Sequence, residues 1–395
     1  MALTIEQEQR KEVRALISGL HYKTSRPVWK KQPLPTSHSL EMTGTPVRSQ
    51  RKALCSDWTE AVGQVPIVKL NNLASVFATR QCYLKLESCN PGGSIKEKNA
   101  VWLVREAERT GALKPGGTIV ESSSGNFGVA LAMMGALRGY RVMIVVDAKA
   151  TPTAKKMLRA HGAELVEITP ELIEKHGTRH KARIATATEL SQTVPGAWYP
   201  CQHHNPLNPN AHSAFTAQEI ATAFPNGLDA LVIGVSTGGQ LSGLARHLLP
   251  IYPNLKIVAV DVEGSVVLAS QSGNYQMTGL GLSFRPPNLD YQSIHSGYVM
   301  PERLAYTTCH GIARKEGLLM GASTGAIVAA GIHLAHQMPK GSKICMMGPD
   351  RGDRYLETLY DQNWLDHHRF SLTDLENLEA DILASLTPVR DFQCS

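Results

Sequence analysis

From residue 83 onward, short runs rich in β-branched residues alternate with segments whose apolar residues recur every three to four positions. YLKLE (83–87), TIVES (118–122), RVMIVVD (141–147), AELVEIT (163–169), ALVIGV (230–235), KIVAVDV (256–262) and KICMMG (343–348) read as strands. Residues 99–113, 126–140 and 151–162 read as helices, two of them closing at a glycine. Strands joined through helices run parallel, so the chain is expected to be an α/β protein built on open, mostly parallel sheets. The loop-rich stretch 170–228 separates two groups of strands, which predicts two domains with a cleft between them. Their expected limits are 53–200 and 201–365, flanked by an extension over 1–52 and a tail over 366–395. In such sheets ligands bind beyond the carboxyl ends of the strands.

The location of charge narrows the function. The first 52 residues carry ten Lys or Arg against four Glu, which accounts for the whole net charge of +6. A neutral body with a basic arm lacks the basic stripe of a nucleic-acid binder, so no nucleic-acid partner is expected. The longest apolar runs, such as ALVIGV, fall far short of the roughly 20 residues that cross a bilayer, and residues 1–12 lack a secretory core, so the expected location is the cytoplasm. Seven scattered cysteines, none in a CxxC pair, suggest neither a disulfide framework nor a zinc ribbon. The pairs His203–His204 and His367–His368 lack ligand-type spacing to a Cys or Glu, and no metal is expected.

Three strand-to-helix turns carry candidate chemistry. NPGGSIKEKNA (90–100) places Lys96 near a helix N-terminus, where the dipole and partial burial favour the neutral amine that a Schiff-base lysine requires. ESSSGNFG (121–128) supplies hydroxyls and free amides at a helix start, suited to a carboxylate or phosphate. STGGQLSG (236–243) is a glycine-rich turn able to wrap a phosphate, without the ending of a nucleotide-triphosphate loop or the spacing of a dinucleotide fingerprint. Each turn alone is weak evidence; three anion-type turns at strand ends in one chain are considerably stronger.

Together with GLGLSF (279–284), GASTGA (321–326) and PDRGDRYL (349–356), these motifs stand in the order found in the pyridoxal-phosphate enzymes of fold type II. From about Val65 to Trp364 the chain resembles the cysteine synthase and cystathionine β-synthase family, whose fold is like that of the tryptophan synthase β chain. The resemblance implies a homodimer with pyridoxal 5′-phosphate in the interdomain cleft, held as an internal aldimine on Lys96, which also serves as the base at Cα. It implies that Asn126 hydrogen-bonds the cofactor's 3′ oxygen and that Ser123, Ser124, Asn126 and Phe127 clamp the substrate carboxylate. Ser236, Thr237, Gly238, Gly239 and Gln240 would cradle the phosphate, and Ser323 would face the pyridine nitrogen. A neutral hydroxyl there does not hold the ring nitrogen protonated, which favours elimination through an aminoacrylate over transamination.

Departures from the family pattern bear on the substrate. Glu97-Lys98 replaces an Asp-Arg pair after the reactive lysine, Phe127 replaces a Thr of the carboxylate loop, and Gln240 replaces the last Thr of the phosphate turn. ESSSGN, VVD (145–147) and PDRGDRYLETLY look more like the branch that makes N-(2-amino-2-carboxyethyl)glutamate from O-phosphoserine and glutamate, on the way to diaminopropionate in specialised metabolism. The expected activity is therefore β-replacement on an O-activated L-serine, with an amino-acid amine such as L-glutamate as nucleophile. Sulfide or a thiol as nucleophile is the alternative. A degenerate family member serving as a scaffold is a third reading, against which intact Lys96, Asn126 and Ser323 count. A phosphate leaving group calls for a cation near Cβ, and Arg285 is the first candidate by position.

Overall fold

The computed structural model describes residues 54–389, so the basic extension lies outside the described residues. Ten strands among them form two sheets. The larger has six strands in the order β1-β2-β10-β7-β8-β9: β1 Ile67–Lys69, β2 Gln81–Leu86, β7 Ala230–Gly234, β8 Lys256–Val262, β9 Ser296–Met300 and β10 Lys343–Gly348. The smaller has four in the order β5-β4-β3-β6: β3 Thr118–Ser122, β4 Arg141–Val146, β5 Glu164–Glu167 and β6 Ala197–Trp198. Every pairing is parallel except that of β1 with β2 at one edge. This is the mostly parallel, two-sheet α/β architecture expected from the alternation.

All five residues of β3 and the last six of β8 are buried. A parallel strand covered by helices on both faces has no solvent side, which is why these segments read as unbroken apolar runs. Each sheet has its own core. Ile119, Ile144, Leu131 and Met134 belong to the core of the smaller, and Val232, Val258, Ile327 and Met346 to that of the larger.

The helices that follow the strands are α1 Lys96–Thr110, α2 Asn126–Arg138, α3 Pro152–Ala160, α4 Arg179–Thr193, α5 Gly239–Leu248, α6 Glu302–Gly311 and α7 Ala322–Gln337. The first two stop at left-handed glycines, Gly111 and Gly139, and α3 starts at Thr151, whose hydroxyl accepts from the Ala154 amide, with Pro152 at its first position.

The strands are not shared out at residue 200. β2 lies in the larger sheet beside β10, with Gln81 opposite Lys343 and Leu86 opposite Gly348. Six residues of main-chain donors and acceptors on the edge of β10 are satisfied in this way. The smaller sheet with its helices is thus an insertion between β2 and β7. Both β2 and β3 lead directly into turns that face one cleft, as does β7.

Candidate active site

Lys96 is the first residue of α1 and is half-buried. The turn before it is pinned from both sides. Gly93 donates to the Asn90 carbonyl at 2.8 Å, Ile95 donates to the Pro349 carbonyl at 2.8 Å, and Arg351 donates to the Gly93 carbonyl at 3.1 Å. The turn that carries Lys96 and the segment after β10 are therefore one unit. Burial lowers the Lys96 amine to about 8, with the nearby Asp350 acting in the opposite sense. Beside it, Glu97 accepts from the Ser94 hydroxyl at 2.8 Å and the Gly92 amide at 2.9 Å, and burial raises its carboxyl to about 7.

Asn126 opens α2 and faces that same unit. Its amide nitrogen donates to Asp350 Oδ2 at 2.7 Å, and its Oδ1 accepts from Arg354. Arg354 also donates to the Gly92 carbonyl, and the Tyr355 hydroxyl donates to Asp350 Oδ2 at 2.6 Å. Asp350 is buried, which raises its carboxyl, and its Oδ1 has no hydrogen-bond partner among the described residues. Asp350, Arg354 and Tyr355 were not singled out from sequence, although all three stand in PDRGDRYL. What links them to the site is the fold, which sets the end of β10 against the start of α2.

The loop from Ser122 to Phe127 is shaped by its own hydroxyls. Ser123 Oγ accepts from the Gly128 amide at 3.0 Å, and Ser124 Oγ accepts from Arg183 and from the Asp147 amide. The Phe127 side chain is only 2% exposed and belongs to the core of the smaller sheet. At this position only the main chain is left to face a ligand at the start of α2.

The third turn joins β7 to α5. Gly238 has φ +82°, and a Cβ there would stand 2.6 Å from the Leu289 backbone; at Gly239 it would stand 2.1 Å from Asn208 Oδ1. Only glycine fits at either place. Asn208 is itself fixed by the Asn99 amide at 2.7 Å and by donation to the Gln202 carbonyl at 2.8 Å and to Thr237 Oγ1 at 3.3 Å. The Gln240 side-chain nitrogen is buried with no hydrogen-bond partner among the described residues. A side-chain-free turn at a helix start, with a hydroxyl and an unpartnered buried donor, fits the phosphate end of pyridoxal phosphate. Lys96, with an amine held near neutrality, fits its aldehyde end.

Lys96, Ser123, Ser124, Asn126, Phe127, Ser236 and Thr237 line one cavity. Gly238, Gly239 and Gln240 continue from Thr237 into α5, outside the cavity wall. Ser323 is buried in the first turn of α7, beside Gly279, and also lies outside that wall.

Arg285 is not brought to the cleft. It is exposed, with its guanidinium 5.1 Å from the centre of the Tyr291 ring. Phe284, the residue before Arg285, packs against His203 and His204. The cavity holds other cations. Arg183, from α4, is buried and paired with Asp147 at 3.1 Å. Lys149 Nζ stands 3.8 Å over the Tyr275 ring, and burial and then Arg179 lower it to about 8. His180, which accompanies them, is lowered to about 3 by burial and stays neutral. Sequence reasoning missed Arg183 and His180 because α4 lies inside the stretch read as loop, and Lys149 because it stands in the short turn between β4 and α3.

Lys98 lies behind the site, not in it. Its ammonium is 2.8 Å from Glu87 and 2.9 Å from Glu219, and Lys85 contacts the same two carboxylates. Of the Glu97-Lys98 replacement, Lys98 thus belongs to a buried four-charge network that joins α1 to β2 and to the helix bearing Glu219, while Glu97 closes the turn before Lys96.

Similarity to known proteins agrees with this arrangement. The chain is 36% identical over 315 residues to N-(2-amino-2-carboxyethyl)-L-glutamate synthase of Cupriavidus metallidurans, covering 79% of this chain and 92% of that protein. It is 36% identical over 320 residues to cystathionine β-synthase of Apis mellifera, covering 80% of this chain and 63% of the bee protein's longer sequence. Among solved structures, O-ureido-L-serine synthase superposes with a TM-score of 0.73 at 36% identity, over 80% of this chain and all of that one. The family model described as pyridoxal-phosphate dependent enzyme matches residues 58–350, from the first turn of the described body to the Asp350 that holds Asn126, and the chain belongs to that family.

Proposed function

We propose that this enzyme carries out β-replacement on an O-activated L-serine, O-phosphoserine or O-acetylserine, with an amino-acid amine such as L-glutamate as nucleophile, forming a precursor of diaminopropionate. The observation that carries this reading is the cavity that holds Lys96, the hydroxyl-rich loop 122–127 and the cations Arg183 and Lys149 together. The kinship with N-(2-amino-2-carboxyethyl)-L-glutamate synthase supports the choice of nucleophile. Kinship with cystathionine β-synthase supports a thiol as the second reading.

Pyridoxal phosphate, when bound, supplies the electron sink that allows a Cα proton and a Cβ leaving group to depart and an amine to form the new C–N bond at Cβ. The chain's own residues do the rest. Lys96 removes the Cα proton and returns one, for which an amine near pH 8 is well placed. Ser123, Ser124 and the main chain at Phe127 hold the substrate carboxylate at the start of α2. Asn126, tethered by Asp350 and Arg354, presents a fixed amide to the cofactor's ring oxygen. Arg183 offers its charge to an anionic leaving group.

The test is the ratio of Michaelis constants for the two donors. Arg183→Gln should raise KM for O-phosphoserine about tenfold or more while changing that for O-acetylserine much less, a decade corresponding to about 1.4 kcal/mol. Arg285→Ala should leave the ratio where it is. An equal effect of Arg183→Gln on both donors would remove Arg183 from the leaving-group site.

A further inference from the structure

Beside the main cleft lies a second cavity that shares Lys149, Met277, Thr278 and Tyr355 with it. Arg179, the first residue of α4, joins Lys149 in its wall, and among the described residues no carboxylate lines it. The acids nearest these cations are already engaged. Glu302 Oε1 accepts from the Gln276 and Met277 amides at 2.8 and 2.5 Å and from the Tyr306 hydroxyl at 2.7 Å. Asp147 is paired with Arg183 and accepts from the Lys149 amide at 2.9 Å. Two cations thus share a chamber whose wall carries no carboxylate to balance them, and after burial their mutual repulsion lowers the basicity of Lys149, against the pull of Glu302 and Asp147. An anion placed between them would relieve that repulsion. The chamber adjoins the reaction cleft along the residues the two share, so a molecule held there lies next to the site of the first substrate.

We propose that this side chamber is the acceptor subsite, and that Lys149 and Arg179 receive a carboxylate of the incoming nucleophile and so select an acidic amino acid over its neutral isostere. This rests on the amine-donor reading and adds the chemical class of the acceptor. Arg179 is the sharper probe of the two, because it lines the side chamber and not the main cleft, while Lys149 lines both.

The experiment uses the holoenzyme at saturating donor, with L-glutamate, L-glutamine and sulfide as alternative second substrates. The wild type should prefer glutamate to glutamine in kcat/KM by about tenfold or more. Arg179→Gln should collapse that preference toward unity, chiefly through KM for glutamate, and Arg179→Lys should restore most of it. Turnover of sulfide, which has no carboxylate to hold, reports that each variant is folded and loaded. A wild type that uses both amines equally, or an Arg179→Gln variant that keeps the full preference, would overturn the subsite and leave the amine reading standing. A wild type that consumes sulfide and no amine would overturn the amine reading, and the subsite with it.

Discussion

Lys96 accepts a proton only as the neutral amine, and burial brings that form within reach by lowering its pKa to about 8. The rate of the proton-transfer step should therefore rise as pH climbs through about 8 and level off above it. Asp350 acts on Lys96 in the opposite sense, favouring the charged amine. Asp350→Asn keeps the shape and removes the negative charge, so the rising limb should move to lower pH. A pH–rate profile of the two proteins checks the sign; a limb displaced to higher pH would mean that Asp350 does not act through its charge. The three strand-to-helix turns that carry Lys96, Asn126 and Gly238-Gly239 were legible in sequence as turns, because each is a short motif between a strand and a helix, while the roles of their residues came from the family resemblance. Arg183, Lys149 and Asp350 were not, since their place depends on which strand ends the fold sets side by side. Arg285 shows the converse: its position in the chain suggested the cleft, and the fold leaves it exposed beside Tyr291.

The elements carry a different kind of constraint. β2, α1 and the helix bearing Glu219 meet at the network of Lys85, Glu87, Lys98 and Glu219, where the side chains are at most 6% exposed. Removing one partner leaves a buried charge without its counter-ion, which costs about 3–5 kcal/mol. Lys98→Met should accordingly lower the unfolding free energy by that order in denaturant titration, while an exposed pair such as Arg141–Glu164 should matter by less than about 1 kcal/mol. A Lys98→Met protein as stable as wild type would show that the network is not needed to fix α1. The strands were legible because burial on both faces leaves an unbroken apolar signature. β1 with three residues and β6 with two are too short to show any period, and α4 is weakly amphipathic in a stretch punctuated by Gly177 and Gly196. Which sheet β2 joins could not be read locally at all, because its partner β10 lies more than 250 residues away.

At the scale of the molecule, the cleft gathers groups from both sheets: Lys96 after β2 and Ser236 after β7 of the larger, and the 122–127 loop after β3 of the smaller. A cofactor bound among them ties both bodies together and stabilises the folded chain by mass action, by about 2.7 kcal/mol at a hundredfold excess over its dissociation constant. Thermal unfolding should shift upward on addition of pyridoxal phosphate, and the shift should shrink in Gly238→Ala, where the added Cβ meets Leu289. An undiminished shift would place the phosphate elsewhere. Among the described residues no helix is long and apolar enough to cross a membrane. The central claim, that this cleft joins an activated serine to an amine, is tested most directly by following the visible absorption of the purified holoenzyme as O-phosphoserine and then L-glutamate are added. The account predicts that the cofactor band changes with the first and returns with the second; a band that stays unchanged with O-phosphoserine and with O-acetylserine, or that only sulfide restores, would contradict it.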